Sequence, residues 1–180
     1  MGKIKAFLQT ADGEWDRKKI AKILRITSLA LFLFVVLYVA AKFTLKLYGI
    51  GVIVTPSIEG SVVVYEKDFK LANMKNKIVL FLLPKETPYY KKHTNFLKYV
   101  RCEAGDKLMV QGLDYYCNDN LIGTAKTTDM DGKEVAQFVF NGQIPNGKYF
   151  VMGTHERSYD SRYWGFVDSN LIKGVGVWKL

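Results

Sequence analysis

The spacing of apolar residues changes character once along this chain, near residue 45. Ile26–Ala41 reads ITSLALFLFVVLYVAA, 16 residues in a row without a charge. A helix needs roughly 20 residues to cross a bilayer core. Arg25 and Lys42 make up the shortfall if they bury their aliphatic stems and lift their charges to the two interfaces. Leu45, Leu47 and Tyr48 extend the apolar character. This reading gives a transmembrane helix over 26–44. Two other uses of the run stay open: a cleaved signal peptide, with Val39-Ala40-Ala41 as a small-residue site, or a buried core helix.

Beyond residue 45 the pattern becomes short β-branched runs separated by turn residues, the signature of strands. The expected strands are Ile50–Thr55, Ser61–Tyr65, Lys77–Leu83, Phe96–Cys102, Lys107–Gln111, Tyr115–Cys117, Val135–Phe140, Lys148–Met152, Trp164–Val167 and Leu171–Trp178. Glu103-Ala104-Gly105-Asp106, Asp131-Gly132 and Pro145-Asn146-Gly147 supply turns. The fold class that follows is mainly β, an antiparallel domain behind one N-terminal helix. Residues 84–95 (PKETPYYKKHTN) read as a polar, basic, solvated loop.

Composition adds constraints. At 180 residues the chain suits one domain plus an appendage. Apolar residues at 49% exclude a disordered or low-complexity chain. Of the +9 net charge, residues 1–25 hold +4, from Lys3, Lys5, Arg17, Lys18, Lys19, Lys22 and Arg25 against Asp12, Glu14 and Asp16. The positive-inside rule then makes 1–25 a cytoplasmic basic segment and 45–180 an extracytoplasmic domain. No nucleic-acid-binding signature accompanies the positive charge, so the expected partner is the lipid bilayer and not nucleic acid.

Cys102 and Cys117 fall outside the membrane on this topology, where a disulfide is permitted; two buried free thiols are the alternative. His93 and His155 stand apart, and no His or Cys spacing suggests a metal site or a cofactor. A serine can be activated by a neutral lysine if burial draws its pKa down. Lys98, in Phe96-Leu97-Lys98-Tyr99-Val100, has apolar neighbours that could desolvate it, and Ser57 lies in a break between two strands. A solvated strand lysine and an ordinary turn serine are the plain alternatives.

Longer stretches carry a resemblance. Residues 153–167 (GTHERSYDSRYWGFV) resemble the C-terminal box of type I signal peptidases, the S26 serine–lysine peptidases, most strongly in S-x-D-S-R-Y-W-G-F-V. Residues 98–106 (KYVRCEAGD) are similar to the box that contains that family's lysine, and 77–81 (KIVLF) to the strand box before it. Thr55-Pro56-Ser57-Ile58 falls where the family has S-x-S-M, and residues 143–153 match its proline–glycine turn and following strand. The order holds from about residue 27 to 175. Gly153-Thr154-His155-Glu156 departs from G-D-N-R and reaches Ser158 one residue early; Ile58 replaces methionine and Gly60 proline. The short chain and compact boxes look most like the TraF-type conjugative transfer peptidases.

The resemblance implies a membrane-anchored endopeptidase that removes signal or leader segments from exported, membrane-tethered precursors, pilins among them. Ser57 is the implied nucleophile and Lys98 its base. Thr55 and the Ser57 backbone N–H are implied oxyanion donors, Ser158 orients the lysine, and Asp160 and Arg162 form a supporting ion pair. The implied setting is the bacterial inner membrane with the catalytic domain in the periplasm. A general type I signal peptidase, or a non-enzymatic scaffold of a secretion apparatus, are the competing readings.

Overall fold

The computed structural model describes Gln9 and residues 15–180. Lys3, Lys5, Asp12 and Glu14 of the expected basic segment lie outside the described residues. The chain divides into two compact units, Met1–Lys46 and Leu47–Leu180.

Helix α1 runs Arg17–Leu47, starting nine residues before the uncharged run and outlasting it. Asp16 caps it, its carboxylate accepting the Lys19 N–H at 3.0 Å. No residue of α1 is buried, so it is not a core helix. It is long and apolar enough to cross a membrane.

The second unit is built from β1 (Tyr48–Val52), β2 (Val62–Glu66), β3 (Ile78–Leu82), β4 (Asn95–Glu103), β5 (Lys107–Gln111) and β6 (Asp114–Cys117). It continues with β7 (Asn120–Thr124), β8 (Gly142–Gln143), β9 (Lys148–Met152), a one-turn helix α2 (Ser161–Trp164), β10 (Val167–Asp168) and β11 (Ile172–Lys179). Seven strands form one sheet in the order β1-β2-β11-β3-β4-β9-β10, and four form a second, β7-β6-β5-β8. The pairings are antiparallel. The expected mainly β, antiparallel fold class is therefore the observed one.

Strand β9 shows why two cores form. Tyr149 and Val151 join Val79, Phe81, Val100 and Trp164 in one cluster. Phe150 and Met152 turn the other way, toward Leu108, Tyr115, Cys102 and Cys117. Alternate side chains point to opposite faces of a strand, so β9 serves both cores.

Several expectations change. Val135–Phe140 forms no strand: Phe138 and Phe140 pack edge-on against Phe166, and ring packing holds that segment without a ladder. Trp164–Val167 is not one strand either. Asp160 caps α2, and Gly165 at φ 93° ends it, so capping outweighs the aromatic β-preference. Strand β7 carries only Leu121 and Ile122 as large apolar residues and gave little signal. The hairpin before it comes from Asn118 and Asp119 at φ 49° and 64°, the left-handed pair a tight two-residue turn requires. Loop 84–95 is not solvated throughout, because Tyr90 packs edge-on against Phe96 at 5.0 Å.

Candidate active site

Strand alternation buries Lys98. Along β4, Lys98, Val100 and Cys102 are buried in turn while Leu97, Tyr99, Arg101 and Glu103 are less so. The lysine takes a core position, with Val79 as its cross-strand partner on β3. Its side chain is 3% exposed, and Nζ donates to Ser158 Oγ at 2.9 Å. The Phe96 ring centroid is 5.7 Å from the same nitrogen.

That setting changes the ammonium's acidity. Burial pushes the Lys98 pKa down from 10.5 to about 8; Asp160 opposes the shift and Arg162 adds to it. Desolvation prevails because a charge loses more in leaving water than one partly compensated carboxylate returns.

Ser57 lies in the turn between β1 and β2, next to the fully packed Ile58. Its hydroxyl is 3.0 Å from that of Thr55. Its carbonyl accepts the Thr154 N–H at 2.8 Å and the His155 N–H at 3.4 Å. These bonds tie the turn to the segment leaving β9. Gly153 begins that segment, and a Cβ there would lie 2.2 Å from Ser158 Oγ and 2.3 Å from the Ser57 carbonyl oxygen. Only the smallest residue lets the serine turn and Ser158 meet.

Asp160 and Arg162 are both buried and face each other through two parallel bonds, Nε to Oδ1 and Nη2 to Oδ2, each 2.8 Å. The arginine also reaches the carbonyls of Thr124 at 2.6 Å and Ser158 at 3.0 Å. Asp160 accepts the Gly153 N–H at 3.0 Å. The pair thus fixes both ends of residues 153–158, and with them the hydroxyl on which Lys98 is held.

Thr55, Ser57 and Lys98 line one cleft of about 410 Å³, whose other walls include Ile53, Ile58, Leu80, Phe96 and Leu97. Among the described residues, Nζ of Lys98 hydrogen-bonds Ser158 and not Ser57. The cleft therefore offers a hydroxyl pair and a poorly solvated amine in an apolar surface.

Cys102 and Cys117 are bonded at an S–S distance of 2.02 Å, joining β4 to β6 and hence one sheet to the other. Asp106 lies beside them, the one cluster of metal-ligand side-chain types among the described residues. Both sulfurs are committed to each other there. His93 and His155 are exposed and line no part of the cleft.

Two contributors escape a reading by motif alone. Gly153 appears in the matched box, but its steric role requires the contact with Ser57. Phe96, expected only as one of several apolar neighbours of Lys98, places its ring beside the amine from two residues earlier on the same strand face.

Residues 21–180 match the family described as signal peptidase, peptidase S26. The chain belongs to this family. Among similar curated proteins, Signal peptidase I of Buchnera aphidicola subsp. Acyrthosiphon pisum is 50% identical over 38 residues, 19% of this chain and 12% of that protein. Signal peptidase I of Haemophilus influenzae is 41% identical over 51 residues, 27% of this chain and 14% of its own length. The matched segments thus span only a small part of these relatives. A solved signal peptidase I from Enterococcus faecalis V583 aligns with 56% of this chain and 93% of its own, at 23% identity and a TM-score of 0.38.

Proposed function

We propose that this S26-family chain is a membrane-anchored serine endopeptidase that cleaves signal or leader segments from exported precursors, with Ser57 as nucleophile and Lys98 as general base. The carrying observation is Lys98 itself: buried, drawn to a pKa of about 8, and lining the same cleft as Ser57.

In the proposed reaction neutral Lys98 takes the Ser57 proton as Oγ attacks the scissile carbonyl. For this step the amine leaves Ser158 for the Ser57 hydroxyl across the cleft that Lys98 and Ser57 both line, and catalytic hydrogen bonds commonly tighten when substrate is bound. The oxyanion is received by the Ser57 backbone N–H and by the Thr55 hydroxyl, which exchanges its bond to Ser57 Oγ for the new charge. Collapse breaks the C–N bond, and Lys98 returns the proton to the leaving amine. Water then attacks the acyl-enzyme, Lys98 takes its proton, and Ser57 recovers it as the ester breaks. Ser158 holds Nζ in direction throughout, and Asp160 with Arg162 holds Ser158.

In the proposed topology, residues 1–25 lie in the cytoplasm, 26–44 cross the bacterial inner membrane, and 45–180 face the periplasm, with the flanking bases setting the orientation. Enzyme and precursor anchored in one bilayer meet at raised effective concentration. The finer reading is a TraF-type role on pilin or other conjugative-transfer precursors; it rests on the compact boxes and the divergent serine box.

Co-expression with candidate pilin precursors, followed by N-terminal sequencing of the product, tests the reading. Ser57→Ala and Lys98→Ala should each abolish processing while the fold survives, and Thr55→Val should slow it by about 10²–10³. Full processing by either of the first two variants rejects the assignment. Equal complementation by Ser57→Ala would instead point to a scaffold.

A further inference from the structure

A second cleft of about 260 Å³ lies in the β domain, and it shares Tyr90 with the cleft that holds Ser57 and Lys98. Four tyrosines, Tyr89, Tyr90, Tyr159 and Tyr163, line it together with Met130, Val135 and several polar residues. We propose that it binds an aromatic or large aliphatic side chain of the same polypeptide whose scissile bond lies at Ser57. The proposal rests on the peptidase reading for the identity of that polypeptide.

Continuity is the first argument. From Lys98 an aromatic series leads into the second cleft: Phe96 lies 5.7 Å from Nζ, Tyr90 packs on Phe96 at 5.0 Å, and Tyr159 lies 6.2 Å from Tyr90. Tyr89 and Tyr163 then meet Tyr159 at 4.9 and 5.3 Å. A peptide in the first cleft must leave it along the surface, and this wall adjoins it.

The second argument is that the cleft is already built. Asp129 Oδ1 accepts the N–H groups of Asp131 and Lys133, each at 2.9 Å, and Asp129 Oδ2 accepts the Tyr89 hydroxyl at 2.7 Å. The loop that carries Met130 is thereby fastened to the wall. Met130 is nonetheless 85% exposed, a large apolar side chain left in water on the rim. Tyrosine walls offer broad contact at little cost in side-chain freedom.

The guest's chemistry follows from the charges. Three donors occupy the Asp129 carboxylate, and Lys126 pairs with Glu156 at 3.0 Å. Arg157 and Asp131 put one charge of each sign at the cleft. Charge therefore selects little, and apolar and ring surface does the selecting.

The test uses the full chain in detergent and internally quenched peptides that differ only in one phenylalanine, moved stepwise through the flanks of an alanine-containing cleavage site. A phenylalanine-free peptide is the reference. In the wild type, phenylalanine at a restricted set of positions should raise kcat/KM about tenfold over the reference. That ratio should fall to near one in Met130→Ser and in Tyr89→Ala. Absence of any favoured position, or a ratio that survives both substitutions, overturns the proposal. The same peptides are titrated by anisotropy against Ser57→Ala, where affinity should show the same ratio. If the wild type cleaves no peptide, the peptidase reading fails, and the cleft is then judged by the affinity ratio alone.

Discussion

A Cβ on Gly153 would stand 2.3 Å from the carbonyl oxygen of Ser57. That oxygen is held by Thr154 and His155, and the same Cβ would stand 2.2 Å from Ser158 Oγ. One missing side chain therefore joins the turn of the proposed nucleophile to the hydroxyl that receives the lysine. Gly153→Ala should cut kcat/KM for a precursor at least a hundredfold, since small misplacements at a reacting centre are that costly. Near-normal turnover in the purified variant would show that the contact is not used.

Lys98 gives two pH effects of defined sign. In the proposed role of base it acts deprotonated, so kcat/KM should climb on the acid side and level off above about pH 8. An activity that rises only beyond about pH 10 would contradict a lysine released by burial.

Stability follows from the same shift. The unfolded chain keeps this proton up to 10.5, while the folded lysine releases it near 8. Between those values the unfolded state binds more protons, so stability rises with pH. The contribution is complete above 10.5 and is lost as pH falls through 8, an effect on the order of 3 kcal/mol. Lys98→Met should lack this dependence. Parallel denaturation curves for wild type and variant from pH 7 to pH 11 would refute it.

Removing one member of the Asp160–Arg162 pair leaves the other buried and uncompensated. Arg162→Ala should cost about 3–5 kcal/mol, and Asp160→Ala a similar amount. The double variant should lose less than the sum, because the orphaned charge is gone. Urea denaturation of the three variants measures this; additive losses would mean the two groups act independently.

The bond between Cys102 and Cys117 closes a loop with a sequence separation of 15. In the chain-entropy model, its loss costs about 3 kcal/mol. A double serine variant should melt lower by several degrees. Thiol labelling of the denatured wild type without reductant should find no free cysteine, and quantitative labelling would exclude the bond.

Much of the architecture was readable from the chain itself. Lys107–Gln111 and Lys148–Met152 are strands with the expected ends, because alternation and bordering turns are local properties. The apolar neighbours of Lys98 point to its burial, and β4 alternation delivers it. Segments 135–140 and 164–167 depart from their strand-like pattern because ring packing on Phe166 and the Asp160 cap override strand preference.

The boxes, the uncharged run within α1 and the alternation at Lys98 are relations between near neighbours, so residue order alone carries them. The resemblance names Ser158 as the lysine's partner, but the meeting itself is tertiary: Ser57 and Ser158 are brought to β4 from opposite ends of the domain by a sheet order that interleaves early and late strands. The intolerance of a side chain at Gly153 and the tyrosine cleft arise in the same way. Each depends on how segments remote in the chain pack against one another, and periodicity along the chain holds no record of such distances.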